Sequence, residues 1–245
     1  IMSTPLPAST DCIIVGAGLA GAAAAYGLSQ AGLTDQVILE REAVAGVHAS
    51  GRNAAMAYSF IAEPSVRWLA RRGLAFIREP PADFPLPLDN RFTGSLSVVG
   101  ADHREEYAPL VADLRAEGIP LDEWDAAEIA RRIPVLGHRE GDVGYLCPED
   151  GIVDVDALLQ GYLRSARRSG AHLRFRCSAT KLLVENGAVT GVETSDGTVR
   201  APRVVLAGGP WANELAQGAG LSPLPLRPAR RHLAVVIDTE VLGSH

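Results

Sequence analysis

Residues 11–15 (Asp-Cys-Ile-Ile-Val) form a short apolar run bounded by glycine, the pattern of a strand buried on both faces. An alanine-rich stretch from Leu19 to Gln30 reads as a helix, with Gly32 placed to end it. Gln36 to Leu39 is the next strand, so the chain opens on a βαβ unit. Further on, Pro64 to Glu79 sets Val66, Leu69, Ala70, Leu74 and Ile77 at helical spacing, with arginines on the other side. Residues 80–90 are too proline-dense for regular structure. Gly94 to Val99 reads as a strand and His103 to Glu117 as an amphipathic helix. Asp125 and Glu128 make a capping pattern for a short helix that Pro134 ends.

Asp154 is placed to cap a helix from Val155 to Arg168, closed by Gly170. Four strand-like runs follow at 172–176, 180–185, 188–194 and 198–205. Asn186-Gly187 and Asp196-Gly197, dipeptides that favour tight hairpins, stand at two of the joints. The last strand of this stretch, Arg203 to Leu206, leads into Ala207-Gly208-Gly209, and one more strand is expected from Leu233 to Ile237.

Composition narrows the class. With 245 residues, 47% hydrophobic and 21% charged, the chain suits one large domain or two small ones. A net charge of −6 leaves no broad basic face for nucleic acid. Cys12, Cys147 and Cys177 are odd in number and far apart. That argues against a disulfide framework or zinc site and for buried thiols in a reducing compartment. No metal is expected. The longest apolar run, Leu19 to Leu28, is too short to cross a bilayer, and the first residues show no signal-peptide pattern. The expectation is a soluble, cytoplasmic α/β protein without evident membrane association.

Gly16-Ala17-Gly18-Leu19-Ala20-Gly21 is a G-x-G-x-x-G sequence directly after a strand and opening a helix. Gly16 permits the tight turn, Gly18 lets backbone approach a pyrophosphate, and Gly21 lets helix and strand pack closely. Glu40 ends the second strand, nineteen residues after Gly21. An acid there accepts hydrogen bonds from ribose hydroxyls and repels a 2′-phosphate, so the ligand is NAD or FAD and not NADP. The neighbouring Arg41 reads as solvated or as a backbone contact. His48-Ala49-Ser50-Gly51-Arg52-Asn53-Ala54-Ala55 can donate N–H groups to phosphates and tuck small side chains beneath a flat ring. A plain helix start explains the same residues.

Four segments carry a resemblance to the FAD-dependent D-amino-acid oxidase/glycine oxidase family. They are the glycine motif with Glu40-Arg41, the His48–Ala55 loop, the stretch from Pro148 to Gly170, and Leu206-Ala207-Gly208-Gly209-Pro210-Trp211. Together with Arg227–Arg231 they span nearly the whole chain. Within the family the chain is most similar to bacterial D-amino-acid dehydrogenases of the D-arginine type. The resemblance implies a Rossmann-like FAD-binding domain (residues 10–60 plus 146–220) with an inserted mixed-sheet α+β substrate domain (61–145 plus 221–245) that is incomplete. Members of the family continue past the end of this chain. A fragment of a longer enzyme, or a second polypeptide completing the fold, is therefore expected.

The same resemblance assigns residues. Gly16, Gly18, Gly21, Glu40, Arg41, His48 and the loop Ser50, Gly51, Arg52, Asn53, Ala54, Ala55 would hold FAD. Ala179, in a β-meander, would meet the adenine through its backbone, and Gly208 and Gly209 would approach the cofactor where the chain returns to the parallel sheet. Some relatives attach flavin through a histidine in the region of His48; a loop histidine capping backbone is the other reading. Arg231 matches an arginine that pairs with the substrate carboxylate, and a surface arginine is its alternative. Where the D-arginine type has a pocket histidine, tyrosine and glutamate, this chain carries Met56, Ile61 and Ser95. A neutral or apolar amino acid or amine therefore fits better than a cationic one, with Met56 either in the pocket or in the core. The implied reaction is hydride transfer from the substrate carbon to flavin N5, giving an imine and then oxo acid and ammonia. The electron acceptor stays open. So do two rival functions: an NAD-dependent dehydrogenase and a non-catalytic nucleotide-binding subunit.

Overall fold

The computed structural model of the protein describes residues 5–137, 139–230 and 232; the expected strand at 233–237 and Arg231 lie outside the described residues. The described residues pack as two compact units. One takes in the chain up to Asn53, then Asp83–Pro87 and the residues from Val155 onward; the other takes in Ala54–Ala82 and Leu88–Asp154.

The first unit is built on a parallel sheet whose strands lie in the order Val204–Leu206, Cys12–Val15, Gln36–Leu39, His172–Arg174. The two central strands are buried along their whole length and apolar except at Gln36, whose Nε2 donates to the Ala25 carbonyl. Alternation divides them between two cores. Cys12, Ile14 and Ile38 pack on Ala22 and Ala25 of the helix Leu19–Gln30 and on Leu159, Leu163 and Ala166 of the helix Val155–Arg168. Ile13, Val15, Val37 and Leu39 pack on Leu182, Val192 and Val199. Those last three belong to an antiparallel meander of Ala179–Glu185, Ala188–Thr194 and Gly197–Arg200. Each such aliphatic side chain contributes about 1.5–3 kcal/mol when fully buried.

Two strand expectations need correction. The first of the four runs is shorter than 172–176, a strand over His172–Arg174, and it extends the parallel sheet, His172 pairing with Val37. The run at 198–205 is two strands, broken around Pro202, which has no N–H to donate to a ladder. Its first half stays in the meander and its second crosses to lie beside Cys12–Val15. At the Asn186-Gly187 joint both residues take positive φ, 52° and 77°, as a type I′ hairpin needs. The other joint turns one residue earlier, on Ser195-Asp196. There the Thr194 hydroxyl accepts from the Asp196 N–H and donates to the Gly197 carbonyl.

The proline-rich segment is irregular, as expected, yet anchored. Phe84 sits edge-on to Tyr26 and Tyr162, and a Cβ on Gly161 would lie 2.3 Å from its ring.

In the second unit, Val143–Cys147 runs between Ser95–Val99 and Asp122–Asp125, and every described strand pair is antiparallel. Met56–Ala57 pairs with Gly151–Ile152. The helices are Pro64–Arg78, Arg104–Ala116 and Ala126–Arg132, the last capped by Asp125, whose Oδ1 accepts from the Glu128 N–H. The expected apolar face of Pro64–Arg78 holds in part: Leu74 is buried and Ala70 and Ile77 are half-buried, but the face is turned toward Arg67. Arg67 is 1% exposed, while Val66 and Leu69 are 50% and 61% exposed. The Arg67 guanidinium is buried because its donors are used: Nε and Nη2 on the Glu117 carboxylate, Nη1 on the Ile61 carbonyl at 2.7 Å.

Cys12, Cys147 and Cys177 are all buried free thiols. Among the described residues no helix is long and apolar enough to cross a membrane.

Candidate functional site

The glycine motif forms the turn between the first strand and the first helix. Gly16 has φ +105°, and a Cβ there would lie 2.5 Å from the Ala207 carbonyl oxygen. A Cβ on Gly21 would lie 1.9 Å from the Gly16 carbonyl oxygen, so helix and turn meet at a distance only glycine allows. At Gly18 a Cβ would meet no backbone, only the Ser50 hydroxyl at 2.9 Å. First-turn N–H groups have no acceptor inside their own helix. Ala22 N–H reaches the Gly18 carbonyl, and Leu19 N–H donates to Ser50 Oγ at 2.9 Å, which fastens the following loop to the helix mouth.

Glu40 ends the second strand as a buried carboxylate. Its Oε2 accepts from the Ala17 N–H at 2.8 Å and its Oε1 from the Glu42 N–H at 2.9 Å. A carboxylate has about four acceptor positions, so both oxygens keep capacity for hydroxyl donors.

Arg41 is exposed, as expected of a solvated arginine, but it also has partners in this unit. Its guanidinium lies 3.7 Å above the Trp211 ring centroid, and its Nε is 3.3 Å from Glu42 Oε1. His48 does not cap backbone with its side chain. Its Nε2 is 2.9 Å from Glu42 Oε1, and its ring centroid is 4.8 Å from that of Trp211. The bond from the imidazole holds the Glu42 carboxyl below the usual carboxylate range. Trp211 thus serves as a platform for a cation.

Ala49–Gly51 is a single 3-10 turn, with Gly51 N–H on the His48 carbonyl. Asn53 Nδ2 donates to the Ser50 carbonyl at 2.8 Å, and Arg52 is exposed at the end of the turn. Gly208 and Gly209 follow the last parallel strand, where Gly208 Cα would be 3.3 Å from a Cβ on Gly16. Ala179 opens the meander opposite Thr194. These residues share the first unit.

Ala54, Ala55 and Met56 belong to the second unit. Ala54 is exposed, and Ala55, at φ 54°, accepts from the Val153 N–H. Met56 is 55% exposed and so is not a core residue. Ser95 is turned to Asp150, a residue that pattern reading missed. Asp150 is 0% exposed, and its carboxylate accepts from Ser59 N–H (2.8 Å), Ser59 Oγ (2.7 Å) and Ser95 Oγ (2.6 Å). The only sequence signal was its place in the segment from Pro148 that carries the family resemblance. Burial, with the Asp150 carboxylate nearby, pushes the Cys147 thiol up to about 12.

The glycine turn, the helix mouth and Glu40 present N–H donors for phosphates and acceptors for ribose hydroxyls, the chemistry an adenine dinucleotide requires. The family model of the FAD dependent oxidoreductases, DAO, matches residues 11–243, and the chain belongs to that family. Its cofactor is FAD, which resolves the choice between FAD and NAD that the motif left open.

Among individual proteins, the chain is 31% identical over 229 residues to a 4-methylaminobutanoate oxidase (formaldehyde-forming) of Paenarthrobacter nicotinovorans, covering 92% of this chain and 27% of that one. It is 28% identical to the mitochondrial pyruvate dehydrogenase phosphatase regulatory subunit of Mus musculus, over 87% of this chain and 24% of the relative. An L-proline dehydrogenase from P. horikoshii shares the fold at a TM-score of 0.79 and 21% identity, over 88% of this chain and 57% of that structure. The chain thus spans about a quarter of either relative and little more than half of the solved structure.

Proposed function

We propose that this chain carries the FAD-binding elements and part of the substrate-binding elements of an enzyme that oxidises the C–N bond of an amino acid or amine. The observation that carries the reading is the buried Glu40 carboxylate bonded to the Ala17 N–H inside the glycine turn, in a chain of the FAD-dependent family. FAD, when bound, supplies the acceptor for the hydride leaving the substrate carbon. The protein's part is to hold and orient. Gly16, Gly18 and Gly21 with the helix mouth receive the pyrophosphate, and Glu40 the ribose. Ser50, Gly51, Arg52, Asn53, Ala54 and Ala55 form the loop beside the cofactor, while Ala179, Gly208 and Gly209 border it. Arg41 and His48 support that loop through Glu42 and Trp211. Arg231 clamps a substrate carboxylate. The oxidised substrate, an imine, hydrolyses to a carbonyl product and an amine or ammonia.

For the substrate, a neutral D-amino acid follows from the D-arginine-type resemblance combined with Met56, Ile61 and Ser95. The P. nicotinovorans relative, an oxidase of 4-methylaminobutanoate, supports widening the class to N-methyl amino acids. Anaerobic mixing of the FAD-loaded, full-length protein with D-, L- and N-methyl amino acids tests the reading. Bleaching of the flavin band by one of these classes is expected, and no bleaching by any of them contradicts it.

A second reading, a non-catalytic nucleotide-binding subunit, is favoured by one observation, the similarity to a regulatory subunit. Tight FAD binding without reduction by any amine would select it.

A further inference from the structure

The proline-dense segment is fastened at two places. The second unit runs from Ala54 to Ala82 and resumes at Leu88, while Asp83–Pro87 belongs to the first unit. There Phe84 lies edge-on to Tyr26 at 6.1 Å and to Tyr162 at 5.6 Å, and those two rings are 5.3 Å apart. Edge-on pairs of this kind attract beyond the area they bury. The seat is cut to the ring: a Cβ on Gly161 would lie 2.3 Å from Phe84 Cζ, so an added methyl would push the ring out. On leaving the seat the segment is tied to the second unit. Asn90 Nδ2 donates to the Ile77 carbonyl at 3.0 Å, and Asn90 Oδ1 accepts from the Asp154 N–H at 3.0 Å. Arg91 and Ile152 exchange both backbone hydrogen bonds at 2.9 Å. Pro85 and Pro87 stand between the two fastenings. Proline fixes φ and stiffens an irregular chain, so displacement at one end carries to the other.

The chain also crosses between the units at Asn53–Ala54 and Asp154–Val155, and those crossings are simply its route. The excursion at 83–87 differs. It leaves the second unit and returns to it, so the path of the chain does not require it. Its seat includes Tyr26, on the helix Leu19–Gln30, whose N-terminus opens on the glycine turn. We infer that residues 80–91 are a strap coupling the two units, with Phe84 as its pin, so that FAD held at the glycine turn of the first unit also stabilises the second. The inference rests on the FAD-binding reading above and adds a route by which cofactor loading reaches the second unit.

Hydrogen exchange followed by mass spectrometry on the full-length protein, flavin-stripped and FAD-loaded, reads this coupling. Two strands report: Cys12–Val15 in the first unit and Val143–Cys147, which lies between two others in the second. A ligand that binds only the folded form suppresses opening of every part that opens together with its site. In the wild type FAD is expected to slow exchange in both strands, each by on the order of tenfold. In Phe84→Ala the slowing at Cys12–Val15 should remain, while that at Val143–Cys147 should fall below about twofold. Gly161→Ala, which fills the seat from the opposite side, should give the same separation, and the double variant no more than either alone. Phe84→Leu keeps an apolar pin and should fall between wild type and Phe84→Ala; it carries the test if the alanine variant fails to fold. Protection of Val143–Cys147 that survives undiminished in the folded Phe84 and Gly161 variants would overturn the inference. So would a wild type in which FAD protects Cys12–Val15 alone, and either result leaves FAD binding standing. A wild type in which FAD slows neither strand would overturn the FAD-binding reading as well.

Discussion

The Arg41 guanidinium lies 3.7 Å above the indole of Trp211, joining the residue after Glu40 to the turn that follows the last parallel strand. The planar guanidinium suits this face-on contact as a lysine ammonium does not. His48 approaches the same indole and shares Glu42 with Arg41, so the strand end, the loop and the returning chain are tied at one point. In a double-mutant cycle of Arg41→Ala and Trp211→Ala, urea unfolding should give a coupling of about 0.5–1 kcal/mol. Additive effects would show that the stack contributes nothing to stability.

Gly18 and Gly21 should fail in different ways when enlarged. Gly21→Ala drives a Cβ into the Gly16 carbonyl and should destabilise the protein by about 3 kcal/mol or more. A Cβ at Gly18 meets only the Ser50 side chain, so in Gly18→Val the fold should survive while FAD affinity falls by on the order of tenfold or more. Thermal melting and bound-flavin absorbance, measured together, separate the two outcomes.

Arg67 and Glu117 make an acid-sensitive clamp. The Arg67 guanidinium, hydrogen-bonded to Glu117, holds that carboxyl below its ordinary value of 4.5. A carboxylate depressed in the folded state stabilises above its unfolded value, and that contribution fades as pH falls through the folded one. The urea midpoint of the wild type should therefore exceed that of Glu117→Gln at neutral pH, and the gap should close below about pH 4.5. Arg67→Ala, which removes the donors to Glu117 and to the Ile61 carbonyl, should lower the urea midpoint at neutral pH.

Thiol chemistry reports on the core. All three cysteines are buried, and burial pushes Cys147 up to about 12 and raises Cys12. A thiol reagent at neutral pH should label the native protein slowly and find three thiols after unfolding in urea. Rapid labelling of the native form would contradict this burial.

The first unit was largely legible because its signals are local. Cys12–Val15 and Gln36–Leu39 are apolar on both faces, and the glycines between strand and helix have one steric meaning each. What escaped was non-local. Nothing within 172–176 says that His172 pairs with Val37 and not with the meander. The return of the chain to the parallel sheet ahead of Gly208 was implied by the resemblance and is made by Val204–Leu206, but the continuous run 198–205 hid the break at Pro202. In the helix Pro64–Arg78, periodicity located the element and the face that carries Ala70, Leu74 and Ile77 but left Arg67 off it, because Arg67 is buried by Glu117, fifty positions away. The short runs Asp122–Asp125 and Gly151–Ile152 lack strand composition and exist through their partners. Asp150 carries no pattern at all; its importance appears only when Ser59 and Ser95 converge on it.

The central claim is that the opening glycine turn and Glu40 grip the adenosine diphosphate half of FAD. Titration of FAD into the flavin-stripped, full-length protein, followed by absorbance, tests it directly. The account predicts uptake of about one FAD per chain, lost in Gly18→Val while the fold persists. A folded wild-type protein that takes up no FAD, or a Gly18→Val variant that binds it as tightly as wild type, would contradict it.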